Sequence, residues 1–273
     1  MSHKFSAERI KNNRQLVSLH PAPPLSPAAP VRLFPLGDAA IVLEFGGGIS
    51  LATHRAIQAV GGYLVEHPFV GLRECVPAFT TLTVYYDPWL LSENGRHSPY
   101  DRAAEILRQL LPAAHSVAAA APVAVVEIPV CYGGAFGPDL DFVANHTNLP
   151  ADDVIARHAA PTYLVHMIGF APGFPYLGGM DARLVTPRRA RPRTLVPAGA
   201  VGIAGAQTGI YSLPTPGGWQ LIGRTPLPLF SPDWAAPSRL RAGQQLRFVA
   251  ISAAEFADTA ARELALARLP IQP

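Results

Sequence analysis

Between residues 162 and 230, short apolar runs alternate with Pro-Gly punctuation. The runs YLVHMIGF, AVGIAG, TGIYSL and WQLIG read as strands. APG, TPG and GRTP read as turns, because Gly and Pro are the strongest local turn markers. That rhythm predicts a compact all-β barrel or sandwich. Upstream the pattern changes. VRLFPLGDAAIVLEF holds two apolar runs around Gly37-Asp38, a hairpin signal. Ser50 can cap a helix through Glu66, with Ile57, Val60 and Leu64 at helical spacing. VGLRECVPAF and TTLTVYYDP follow as strands, the second with Leu82, Val84 and Tyr86 alternating against Thr81, Thr83 and Tyr85. Ser98-Pro99 opens a further helix, expected to stop before Pro112.

The expected architecture is therefore α+β. Residues 1–30 form a Pro-rich disordered tail, residues 31–115 a small α/β sandwich of order ββαββα, and residues 123–270 the β-barrel domain with a C-terminal helix. The linker falls at 113–122. Within the second part, short helices are expected over 138–146 and 150–158. Ser252-x-x-Glu255 is a capping box opening the last helix.

Charge changes the picture locally. Residues 162–230 hold one acid, Asp181, and six arginines at 183, 188, 189, 191, 193 and 224. Such a stretch is either a solvated basic loop or an anion site, since the planar guanidinium matches carboxylate and phosphate. The net charge of the whole chain is only +3, which does not suggest a nucleic-acid binder, since such a protein pairs clustered Lys/Arg with exposed aromatics. Lysine occurs only at Lys4 and Lys11, so the folded part has no P-loop and no lysine for a Schiff base or for biotin. Cys75 and Cys131 stand far apart, and the histidines have no metal-ligand spacing, so no metal is assigned. No apolar run reaches the ~20 residues of a membrane span. These features place the chain in the cytoplasm, with no membrane or nucleic-acid partner.

The phrases GFAPGFPYLGGMD, PRRARPRTLVPAGAVGIAGAQTGIY and TPGGWQLIGRTPLPLF, with CYGGAFGPDL upstream, resemble the allophanate-hydrolase-subunit-1 family over residues 31–251. That family includes the B subunit of bacterial 5-oxoprolinase, a sporulation histidine-kinase inhibitor and half of the carboxyltransferase domain of urea carboxylase. The resemblance implies a cyclophilin-like barrel behind a smaller α/β domain. It also implies one component of an ATP-dependent 5-oxoprolinase, working with the A and C subunits on a small cyclic amide. ATP is then the co-substrate of the complex, with or without magnesium, and biotin, if involved, sits on another chain. A kinase-binding regulator and a carboxyltransferase half acting on a urea-like amide are the alternatives.

The candidate residues follow from chemistry and motif position. His166 reads as a barrel histidine or as a general acid/base, with Tyr176 as a second proton carrier. Phe174 reads as barrel-mouth packing or a platform for a flat amide. Arg188 and Arg193 are the preferred anion binders, while Arg189 and Arg191 read as surface charges. Gln207 and Thr208 suit amide recognition, and Tyr211, Trp219 and Arg224 match motif positions. Gly217 and Gly218 precede Trp219 where backbone N–H groups can form an anion nest. No GxSxG elbow and no Ser-His-Asp set is legible.

Overall fold

The computed structural model describes residues 31–46, 48–116 and 124–267. The expected tail at 1–30 and most of the expected linker lie outside these.

Gly37 takes the left-handed φ of +60° that the first turn needs, and the flanking runs pair as β1 (Arg32–Pro35) and β2 (Ala40–Glu44). Ser50 caps α1 (Leu51–Glu66) by accepting from the Thr53 amide, and Ile57, Val60 and Leu64 form its buried face. β3 (Leu72–Pro77) and β4 (Thr81–Tyr86) complete an antiparallel sheet of order β1-β2-β4-β3. Leu82, Val84 and Tyr86 are the buried set of β4, as alternation requires. Asp87 then accepts from the Trp89 and Leu90 amides and caps a short helix, α2 (Pro88–Leu91). α3 (Pro99–Ser116) packs beside α1 over the same apolar core. Unlike the expected helix, α3 passes through Pro112. Proline deletes one backbone bond, and in the last turn little helix remains to be broken.

The second unit is a closed barrel in the order β10-β7-β6-β13-β5-β12-β9. Its strands are β5 (Val126–Tyr132), β6 (Tyr163–Ile168), β7 (Pro175–Gly178), β9 (Ala200–Ala204), β10 (Gln207–Ile210), β12 (Gln220–Arg224) and β13 (Gln245–Ala250). Closure removes free sheet edges. β5 and β13 pair in parallel, which the local pattern did not announce. Two further strands, β8 (Arg193–Val196) and β11 (Thr215–Gly217), form a separate antiparallel arm. α4 (Leu140–Thr147) and α5 (Ala151–Ala159) cover the barrel, and α6 (Ala253–Ala267) begins at the Ser252–Glu255 capping box. Both expected short helices thus begin one or two residues late, after Asp139 and Pro150.

A hydrogen-bond chain runs through the barrel interior. The Thr208 hydroxyl donates to the Gly202 carbonyl (3.0 Å), so it accepts from His158 Nε2 (2.9 Å). That leaves His158 Nδ1 to accept from the Tyr132 hydroxyl at 2.8 Å. Burial pushes the His158 imidazole down to about 3, so it stays neutral.

The two units meet along α1. His54 packs edge-on to His166, ring centroids 5.3 Å apart, and Phe79 lies 5.4 Å from His166. Both imidazoles are buried. Neither nitrogen of His54, nor Nδ1 of His166, has a hydrogen-bond partner among the described residues.

Candidate active-site cleft

The turn between β6 and β7, the segment before β8, and the segment from Tyr211 to Trp219 enclose a cleft of about 420 Å³, within the range of small-ligand sites. Its floor is aromatic. Phe174, 1% exposed, meets Tyr176, Tyr211, Trp219 and Phe170 edge-on at centroid separations of 5.0, 5.3, 5.5 and 5.4 Å. Edge-to-face packing is what ring quadrupoles favour. Phe174 is therefore the hub of the floor, and Tyr176, Trp219 and Phe170 line the cleft around it. Phe170 stands at the rim with a left-handed φ of +67°, which costs a bulky residue free energy.

The opposite wall is the segment from Pro187 to Pro192, a strap tied on several sides. The Pro187 carbonyl accepts from Gln220 Nε2 at 2.9 Å. The Arg189 amide donates to the Gly218 carbonyl at 2.7 Å. Arg193, at the end of the strap, pairs with Gly217 across β8 and β11. Arg189 and Arg193 both donate to Asp139, at 2.9 and 2.8 Å. Arg188, between the tied residues, is exposed and lines the cleft. Its guanidinium has no ion-pair or hydrogen-bond partner among the described residues. Burial pushes the Tyr211 phenol up, against the pull of the Trp219 amide and of the Arg188 and Arg193 charges. Tyr211 therefore keeps its proton at neutral pH and can donate.

Phe174, Tyr176, Arg188, Tyr211, Gly217, Gly218 and Trp219 thus come together around one cleft. Five other candidates do not line it. Arg193 is engaged by Asp139. His166 sits on the outer face of the barrel beneath α1 and Phe79, because its neighbours Val165 and Leu177 occupy the interior. Thr208 is fully buried in the His158 chain. Gln207 stands at the far end of β10, and Arg224 Nε donates to the Ala198 carbonyl at 2.9 Å. Arg189, expected to be a plain surface charge, is instead half of the Asp139 clamp. Gly217 and Gly218 do not take the left-handed φ of an alternating anion nest. Gly217 is there for space: a Cβ would lie 2.3 Å from the Tyr211 hydroxyl. Asp139 and Gln220 are the residues the sequence did not single out. A lone acid in FGPDL carries no local sign that it will meet arginines fifty residues on.

The model of the carboxyltransferase domain, subdomain C and D, matches residues 31–240. The 5-oxoprolinase B subunit of Bacillus subtilis (strain 168) is 46% identical over 226 residues, covering 81% of this chain and 93% of that protein. The chain belongs to the family of 5-oxoprolinase B subunits. Its Escherichia coli O157:H7 member is 43% identical, over 80% of this chain and 95% of that one. Among solved structures, TTHA0988 superposes with a TM-score of 0.66 at 37% identity over 78% of this chain. This chain spans only 40% of that longer polypeptide. The Kluyveromyces lactis urea carboxylase shares the fold, with a TM-score of 0.67 at 20% identity over 85% of this chain and 23% of that one.

Proposed function

We infer that the chain works as the B subunit of an ATP-dependent 5-oxoprolinase, in a complex with the A and C subunits. The observation that carries this reading is the 46% identity running through 93% of the Bacillus subtilis relative. The overall reaction converts 5-oxo-L-proline, ATP and two waters into L-glutamate, ADP and phosphate. A lactam is a poor electrophile. Moving the terminal phosphoryl group of ATP onto the lactam oxygen makes the ring carbon open to water. After the first water adds, the ring C–N bond breaks, its electron pair stays on nitrogen and that nitrogen takes a proton, which leaves an acyl phosphate on the side-chain carboxyl. The second water attacks this acyl phosphate, the bond to the phosphate oxygen breaks, and L-glutamate and phosphate are released. Cations and oriented donors are needed where negative charge collects.

The cleft suits the substrate half of this chemistry. Arg188 is the unpaired cation and receives the 5-oxoproline carboxylate. Tyr176 and Trp219 flank the flat lactam ring, and the protonated Tyr211 phenol donates a hydrogen bond to it. The complex works in the cytoplasm, where ATP is supplied. No helix among the described residues is long and apolar enough to cross a membrane.

The test is glutamate release from 5-oxo-L-proline by this chain purified with homologues of the A and C subunits. Glutamate that requires both ATP and this chain supports the reading. A well-formed complex that makes none refutes it.

A further inference from the structure

The strap is tied from beneath by one carboxylate that the reaction chemistry has not used. Asp139 is 5% exposed. Its Oδ1 accepts from Arg189 Nη1 and Arg193 Nη2, and its Oδ2 accepts from the Leu221 amide at 2.7 Å. Its own amide donates to the Leu221 carbonyl at 2.8 Å. Asp139 therefore joins the loop before α4, strand β12 and the strap. The loop reaches β12 only because residue 137 is glycine: a Cβ on Gly137 would lie 2.0 Å from the Ile222 carbonyl oxygen.

We propose that Asp139 is a positioning residue for the cleft: it holds the strap through Arg189 and Arg193 so that Arg188 alone presents a free guanidinium to the substrate carboxylate. The proposal rests on the reading that 5-oxoproline binds in this cleft. Three observations carry it. Asp139 holds the side chains of Arg189 and Arg193, which bracket the strap after Arg188. The peptide groups on both sides of Arg188 are fixed, Pro187 by Gln220 and Arg189 by Gly218. Finally, the clamp has no substitute. Arg189 Nε and Arg193 Nη1 are buried without a partner, and Asp139 is the one acid either arginine reaches among the described residues. A buried carboxylate persists when charged groups and amide donors satisfy it, and its loss leaves those groups unpaired. The clamp also divides labour among the cations. Arg189 and Arg193 share one negative charge, while Arg188 keeps its full charge for the ligand.

The experiment is a double-mutant cycle on the assembled enzyme, with Asp139→Asn, Arg188→Ala and the pair. Asp139→Asn is expected to raise the KM for 5-oxo-L-proline about tenfold, the scale of coupling within one hydrogen-bonded network, with kcat changed less than about threefold. In the Arg188→Ala background it is expected to change KM no further, because its effect passes through Arg188. Equal effects of Asp139→Asn in both backgrounds would mean ordinary structural support and would overturn the proposal. Amide hydrogen exchange on the full chain alone needs no turnover. Asp139→Asn is expected to speed exchange of the Arg189 amide at least tenfold while the β9 amides keep their protection. An unchanged Arg189 amide overturns the clamp. A wild-type complex without turnover refutes the oxoprolinase reading, and the exchange result then decides the clamp by itself. If Asp139→Asn does not assemble, Arg189→Ala removes one tether from the solvent side. It is then expected to raise KM about threefold, again only while Arg188 is present.

Discussion

Lowering the pH from 7.5 to 5.0 should remove a large part of the stability of this protein, through its buried histidines, His158 and His54 first. An unfolded histidine takes a proton near 6.5. In the folded chain His158 takes one only at about 3, because burial disfavours the charged ring. His54 does so only at about 4, from burial first and the neighbouring His166 second. Between pH 6.5 and 4 the unfolded chain thus binds more protons than the native one, so stability falls as pH falls. The slope approaches about 1.4 kcal/mol per pH unit for each histidine. Integrated to pH 5.0, each costs about 2 kcal/mol and the pair about 4, against a typical total of about 5–15 kcal/mol. The lowered carboxyls of Asp87, Asp181 and Glu255 act in the same direction, but only near and below the ordinary carboxylate range. The window above pH 4.5 therefore belongs to the histidines. Urea unfolding followed by far-UV circular dichroism at pH 7.5, 6.5, 5.5 and 5.0 reads the slope. Burial lowers His166 as well, in the same direction, so His54→Leu should remove roughly a third to a half of the slope. It forfeits no hydrogen bond because neither His54 nitrogen has a partner among the described residues. Equal stability at pH 7.5 and 5.0, or an unchanged slope in His54→Leu, would refute the reasoning.

Other substitutions follow from local geometry. Phe170→Gly relieves a left-handed backbone but gives up the edge-on contact with Phe174 and loosens the unfolded chain, so stability should change by less than about 1 kcal/mol in the same urea assay. Gly217→Ala drives a methyl into the Tyr211 ring and hydroxyl, so it should cost about 2 kcal/mol and raise the KM for 5-oxoproline. Ser252→Ala removes one side of the α6 capping box and should lower stability by about 1 kcal/mol.

The local elements were readable because each rests on neighbouring residues. Ser50 and its helix, the period-two run Leu82-Val84-Tyr86 and the Ser252–Glu255 box depend on spacing alone. The parallel pairing of β5 with β13 joins strands more than a hundred residues apart, and no local signal encodes it. The cleft was half legible for the same reason. Arg188 and the aromatic floor lie inside motif phrases. The distinction between Arg188 and Arg193 depends on Asp139, which comes from another segment. His166 looked like a proton carrier because its strand was visible, but alternation does not say which face of the barrel a second unit will cover. Thr208 was misleading in the same way, since its hydroxyl is already spent on Gly202 and His158.

The central claim is that Arg188 holds the substrate carboxylate in this cleft. Its most direct test is the KM for 5-oxo-L-proline of the reconstituted complex carrying Arg188→Ala, beside wild type. The account predicts a KM raised by about tenfold to a hundredfold, the loss of a charge-assisted pair, and predicts that Arg191→Ala at the solvent face leaves it unchanged. Wild-type KM and kcat in Arg188→Ala would contradict it.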